Sequence, residues 1–275
     1  MKNMNQFLRF SDKKDAEYIT ALEAAIYQFQ GQEIGAKTIS KYLSQEKLAK
    51  FNLVNPYARN VFRKYLLMEL ADVEGWQFPS GGAIMLATFA DRAWACCDRA
   101  CNFDFDKAKQ KIRNALSGMD YIAVIEAAVY PHTKWITDGI TGCLVSFHFH
   151  AIVWSTSKSK LRRHKAKIAA RFKPVHQDDT KTFPVLNNLK TMKDLLTVIR
   201  YLTKMTLEGY RRKSSNRKVV QAHTDLSASH HYRLFKFLRG RSLFDAWLAG
   251  GKGTEVLRHA KKAAVTAAHA EPMGD

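Results

Sequence analysis

The sequence predicts an α+β fold: a central antiparallel sheet with flanking helices, and helical extensions at both ends. Three observations carry that expectation. Apolar runs rich in β-branched, aromatic and alanine side chains occur at 83–89, 120–130 and 146–154, the signature of strands. Amphipathic helical patterns fall between and after them, at 104–116 and 192–206. The connector from Pro131 to Gly142 ends Asp-Gly-Ile-Thr-Gly, and a turn-rich link of this kind makes the two strands it joins antiparallel neighbours.

In chain order, residues 1–80 read as a helical N-terminal region. Between Asp12 and Gly31, the residues Tyr18, Ile19, Leu22, Ala25 and Ile26 recur at helical spacing. A second helix fits Ala36 to Lys50, where Ala36 to Leu43 could also be part of a helix-turn-helix. A third fits Pro56 to Leu70, with Pro56 suited to a first turn. Gln77-Phe-Pro-Ser-Gly-Gly82 ends the helical pattern and opens a second region, 81–206.

That region starts with a buried strand, Ala83 to Phe89. A helix from Asp104 to Leu116 follows, with Asp104 or Asp106 near its start and Gly118 past its end. The next strand, Asp120 to Tyr130, holds a single charge after Asp120, Glu126. A carboxylate there needs either an Arg or Lys partner or a metal. In the strand Ser146 to Trp154, His148 and His150 alternate with Phe147 and Phe149. Period-two alternation puts the imidazoles on one face and the phenyl rings on the other. Such a pair is either part of a hydrogen-bonded polar face or half of a metal site.

Ser157 to Phe172 follows as a basic helix carrying Lys158, Lys160, Arg162, Arg163, Lys165, Lys167 and Arg171. Its charges suit a phosphate backbone rather than base edges. After an extended piece at 182–186 comes a helix from Met192 to Thr206, with Leu195, Val198, Ile199 and Leu202 as its apolar stripe. Tyr201 and Lys204 are expected on the other side, where an ammonium one turn away favours the phenolate over its usual pKa of about 10. Residues 207–275 read as a basic helical C-terminal region that includes Arg211, Arg212 and Lys213, with helices at 230–238, 243–248 and 256–270. Gly250-Gly-Lys-Gly253 lacks the spacing of a phosphate loop and reads as a turn.

The charge is unevenly spread. Residues 155–262 hold 26 Lys/Arg and 7 Asp/Glu, which accounts for the whole formal charge of +19; the rest of the chain balances at 18 and 18. Segregation of this kind favours a polyanion, above all nucleic acid. The four cysteines, Cys96, Cys97, Cys101 and Cys143, do not form paired Cys-x-x-Cys knuckles and are expected to be reduced thiols. No run approaches the ~20 apolar residues of a membrane span, and the N-terminus lacks a secretory core, so a cytoplasmic protein with no membrane partner is expected.

Taken in order, a strand with Thr88, a strand with Glu126, a strand with His148 and His150, and a helix with Tyr201 and Lys204 resemble the HUH endonucleases, specifically the rolling-circle replication initiators of plasmids and phages. The resemblance covers roughly 83–206. Ile84-Met-Leu-Ala-Thr-Phe89 is similar to the first motif, Phe147-His-Phe-His-Ala-Ile-Val153 to the His-hydrophobic-His motif, and Tyr201-Leu-Thr-Lys204 to the Tyr-x-x-Lys motif. It implies a palm-like sheet related to the ferredoxin-like fold, and Tyr201 as a nucleophile assisted by Lys204. A divalent cation, Mn²⁺ or Mg²⁺, would sit on His148, His150 and Glu126. It also implies single-stranded or hairpin origin DNA as substrate, with host helicase and polymerase as partners. Met205 stands where some members carry a second tyrosine, which implies a single-tyrosine mechanism. A relaxase or single-strand transposase would share this chemistry, and a non-enzymatic nucleic-acid binder is the rival from another class.

Overall fold

The computed structural model describes residues 51–71, 73, 83–176, 183–203, 208–215 and 218–270, together with helical Thr20, Ala21, Ala24 and Gln28. Apart from those four positions, the expected helices before Lys50, the helix-turn-helix reading and Lys204 lie outside the described residues.

The described elements are α1 (Pro56–Ala71), β1 (Ala83–Cys97), α2 (Phe105–Ala115), β2 (Asp120–Thr137), β3 (Ile140–Thr156) and α3 (Lys158–Ile168). They continue with β4 (Val185–Leu189), α4 (Met192–Leu202), β5 (Glu208–Ser215), β6 (Lys218–Thr224), α5 (Ala228–Leu238), β7 (Trp247–Gly250) and α6 (Gly253–Ala270). Short 3₁₀ turns follow α3 at Ala169–Arg171 and precede β7 at Leu243–Ala246.

The strands form one seven-stranded sheet in the order β4-β1-β3-β2-β5-β6, with β7 also paired to β2. The class is α+β, as expected, but the sheet is mixed rather than wholly antiparallel. β5 runs parallel to β2 at Ala128 and Val129, while β7 pairs antiparallel with Tyr121 to Val124 farther along the same edge. The parallel pair arises because the chain reaches β5 through a helical crossover, not a hairpin.

Two expectations need correction. Residues 131–137 are strand rather than connector, and β2 and β3 join through a two-residue turn in which Asp138 (φ 49°) and Gly139 (φ 77°) both have positive φ. That is the backbone of a type I′ hairpin, whose twist matches the flanking strands. Pro131 falls inside the register break between Tyr130 and Lys134, where a missing N–H costs no ladder bond. Second, 207–275 is not simply helical: β5, β6 and β7 all belong to the sheet. A charged edge hairpin reads poorly as strand because its side chains serve solubility as well as pairing.

The two faces of the sheet are built differently. On one, Phe147 and Phe149 are fully buried. Phe147 stacks on Phe103 at 4.0 Å and meets Phe105 of α2 and Phe237 of α5, and Phe149 meets Trp94 edge-on at 5.1 Å. Phe172, just past α3, packs on Phe89 and Trp94 of the same face. The α2 helix is capped by Asp104, whose side chain accepts from the Asp106 and Lys107 amides, and His164 of α3 reaches the Ala115 carbonyl at its other end.

The opposite face carries the even-numbered residues of β3 and receives α4. Phe62 of α1 lies edge-on to Trp247 of β7 at 5.2 Å, and the buried Arg63 donates to the Thr203 carbonyl at 3.2 Å, tying α1 to the end of α4. α1 also packs along α6.

Because Phe147 is sealed among aromatic rings from two helices, truncation leaves a cavity that its neighbours cannot fill. Phe147→Ala is expected to lower stability by about 3–5 kcal/mol, with Phe147→Leu costing less, read as the shift in denaturant midpoint at constant slope.

Candidate functional site

The site grows from a two-by-three patch of the sheet. In one row Thr88, His150 and Val124 are cross-strand partners; in the next, Ala90, His148 and Glu126 are. Directly opposed side chains on an antiparallel pair share a face with Cβ atoms about 5 Å apart. Glu126 is therefore set beside His148 and diagonal to His150 by register alone. Ala90, the small member of its row, leaves space next to His148.

Within the patch, Glu126 Oε2 lies 3.0 Å from His150 Nε2 and 3.4 Å from His148 Nε2. The two imidazoles meet edge-on with centroids 4.7 Å apart. One ligand atom from each of the three residues falls within 4.8 Å of the others. His150 is buried; His148 and Glu126 keep 14% of their side-chain surface open. A pair of imidazole nitrogens and one carboxylate oxygen converging on one face of the sheet fits a divalent cation. The three donors sit on adjacent strands, so they need no backbone movement to converge.

Thr88 adds a second layer. Its Oγ1 is 3.0 Å from His150 Nδ1, the arrangement that fixes a ring's orientation and leaves Nε2 for a ligand. His148 Nδ1 has a longer contact, 3.4 Å, to the Ser146 carbonyl.

Tyr201 comes from the far end of the chain. Its hydroxyl is 3.3 Å from His150 Nε2, and the rings cross at 77° with centroids 4.9 Å apart. The helix that carries it is docked through Leu195, Val198, Ile199 and Leu202, all buried. Tyr201 flanks that stripe and is half-buried, which turns its hydroxyl onto the sheet rather than away from it. A reciprocal capping box holds the start of α4: Asp194 N–H donates to Thr191 Oγ1, and the Thr191 amide donates back to the Asp194 carboxylate. The Lys190 amide, together with the Thr191 hydroxyl and amide, holds the Asp194 carboxyl below the ordinary aspartate range.

Four of the residues expected from sequence, Glu126, His148, His150 and Tyr201, thus meet in one place, with Thr88 supporting them. The described basic side chains of α3 do not join them there. Lys160, Arg162, Arg163 and Lys167 are exposed on α3, which packs with α2 against the phenylalanine face of the sheet. Lys158 begins that helix. Arg211, which is exposed, Arg212, half-buried, and Lys213 belong to β5, whose first residues pair with Ala128 and Val129 two positions past Glu126. Of this set, the β5 residues come closer in the sheet to the metal-ligand patch.

Sequence reasoning missed Arg63. A guanidinium in the apolar stripe of α1, between Phe62 and Leu66, was the available signal. Its partner carbonyl, 140 residues later, was not predictable from local pattern.

Comparison of the chain with protein-family models, with curated proteins and with solved structures finds no match.

Two outcomes follow from this geometry. Thr88→Val should weaken Mn²⁺ binding about 10–100-fold in calorimetric titration, with Thr88→Ser restoring it. The Asp194 carboxyl is depressed in the folded state, so its capping contribution is present above the unfolded aspartate pKa and is lost as pH falls through the lower, folded value. Amide exchange in the first turn of α4 should accelerate over that acid window, and Asp194→Asn should remove the acceleration.

Proposed function

We propose that the chain is a metal-dependent single-strand DNA nickase and strand transferase of the HUH type, using Tyr201 as its one nucleophile and initiating rolling-circle replication. The observation that carries this reading is the phenolic oxygen of Tyr201, 3.3 Å from an imidazole nitrogen of the candidate metal triad. A phenol at this distance from the triad is close enough to act on a phosphate held there.

On this reading the chain's residues act as follows. Glu126, His148 and His150 would hold the divalent cation, Mn²⁺ or Mg²⁺. When bound, the cation supplies a Lewis acid that draws charge from the scissile phosphate. The Tyr201 oxygen loses its proton and forms a bond to phosphorus as the bond to the 3′ oxygen breaks; the departing oxygen takes up a proton. The products are a 5′-phosphotyrosyl link and a 3′-hydroxyl that a polymerase can extend, and reversal rejoins the strand without a nucleotide cofactor. Thr88 keeps the His150 ring in place through each step. Lys204, three residues after Tyr201 in the sequence, would stabilise charge on the phosphate.

The substrate class follows from the chemistry and from the +19 charge: a single-stranded or hairpin segment of DNA, whose backbone is exposed. Host helicase and polymerase would be the partners in replication.

The deciding experiment incubates the full chain with labelled single-stranded DNA and Mn²⁺. A detergent-stable adduct is expected from the wild type and absent from Tyr201→Phe and His148→Ala, with DNA affinity changed less than about threefold in the tyrosine variant. Cleavage that persists in Tyr201→Phe would replace the nucleophile with metal-activated water, and binding without cleavage in either protein would leave only a nucleic-acid binder.

A further inference from the structure

A second cluster of metal-binding side chains lies at the other end of the sheet, and nothing in the nicking reading uses it. Asp98 follows directly on β1, Cys143 is in β3 and His230 is in the first turn of α5; one ligand atom from each falls within 4.8 Å of the others. We infer that Asp98, Cys143 and His230 form a zinc site that fastens α5 to the sheet, independent of the patch around His150.

Several features go beyond coincidence of donors. Asp98 is a buried carboxylate, 5% exposed. Its Oδ1 accepts from the Cys143 amide at 2.8 Å and its Oδ2 from Arg233 of α5, so its orientation is fixed before any ion arrives. Gly142 makes that position available: a Cβ there would stand 2.4 Å from Asp98 Oδ1. The thiol of Cys143 is directed at the Pro131 carbonyl at 3.1 Å, and on binding it would give its proton to solvent.

His230 is held from behind. Its Nδ1 accepts from the Ser227 amide at 3.3 Å and lies 2.7 Å from Ser227 Oγ, so ligation through Nε2 needs the tautomer in which Nδ1–H turns to donate to the Ser227 hydroxyl and the amide contact is released.

Sulfur, nitrogen and oxygen in one set favour Zn²⁺ over Mg²⁺ or Ca²⁺, which take oxygen. Tetrahedral zinc, with bonds of about 2.0–2.3 Å, keeps its ligands roughly 3.3–3.8 Å apart, so small side-chain rotations close the set and water completes it. With one thiolate, one carboxylate and the Arg233 guanidinium, the occupied site carries a single net positive charge, which the exposed rim can solvate.

The first site offers only nitrogen and oxygen, so sulfur ligation separates the two. Titrating the full metal-free chain with Co²⁺ should produce a near-ultraviolet thiolate-to-cobalt band that saturates at about one equivalent. That band should disappear in Cys143→Ser and should need at least about tenfold more Co²⁺ in His230→Gln. It should survive in Cys96→Ser/Cys101→Ser, whose sulfurs lie 2.8 Å apart elsewhere on β1 and its following loop. Zinc content after dialysis should fall by about one equivalent per chain in Cys143→Ser. The absence of the band in the wild type, its persistence in Cys143→Ser, or its loss in the Cys96/Cys101 variant would overturn the assignment.

Discussion

The register of β2 against β3 is the constraint on which the rest depends. Glu126 faces His148 across the ladder, and because side chains alternate with a period of two, a slip of one residue would send the carboxylate to the other face. If β3 slipped instead, His148 and His150 would leave the patch, and Phe147 and Phe149 would come out of the aromatic layer formed with Phe103, Phe105 and Trp94. Burying two phenyl rings and gathering three candidate metal ligands thus follow from one register of two adjacent strands. The Asp138-Gly139 turn fixes the pairing of residues 134–137 with 140–143, and the irregularity between Tyr130 and Lys134 then offsets the ladder into the register that sets Glu126 against His148.

A fixed patch is not yet a reactive one, and the position of the phenol is set by different forces. α4 is only 11 residues long, too short to be stable alone. Its apolar stripe supplies the docking energy, its capping box sets where the helix begins, and the buried Arg63 takes up the Thr203 carbonyl at its end. The placement of Tyr201 therefore depends in part on an arginine from α1, which ties that helix to the end of α4.

The parts of the site that were legible in the sequence share one property: each announces itself within a few residues. His148 and His150 stand out because imidazoles are rare in an apolar strand, Glu126 because it is a lone charge, and Tyr201 because Lys204 follows it at helical spacing, although the ring proves half-buried beside the apolar stripe and not opposite it. What was not legible depends on distant partners or on mixed signals. Asp138-Gly139 between Ile136 and Ile140 is a strong hairpin signal, yet Pro131, His132, Thr133 and Lys134 before it resemble a loop. The β5–β6 hairpin hides Val219 and Val220 among Arg211, Arg212, Lys213 and Lys218, as an edge that resists aggregation does. The zinc-binding set proposed above joins three segments spaced 45 and 87 residues apart, a distance at which spacing rules for metal knuckles are silent.

The placement of the positive charge changes what composition alone implies. The basic segment follows the His-x-His strand directly, and proximity in sequence invites the view that it lines the site. Yet β3 ends and α3 turns back over the phenylalanine face, so the exposed Lys160, Arg162, Arg163 and Lys167 look away from Tyr201. At physiological salt the field of an exposed charge is screened within about 8 Å, less than the thickness of a sheet and a helix. These residues cannot steady a phosphate held against the imidazoles. They can hold a second stretch of polyanion, and on the nicking reading a substrate long enough to reach both faces must pass around an edge of the sheet. The β5–β6 hairpin, joined to β2 just past Glu126, forms one such edge with β6 outermost, and a path over it joins the two surfaces without crossing the aromatic core.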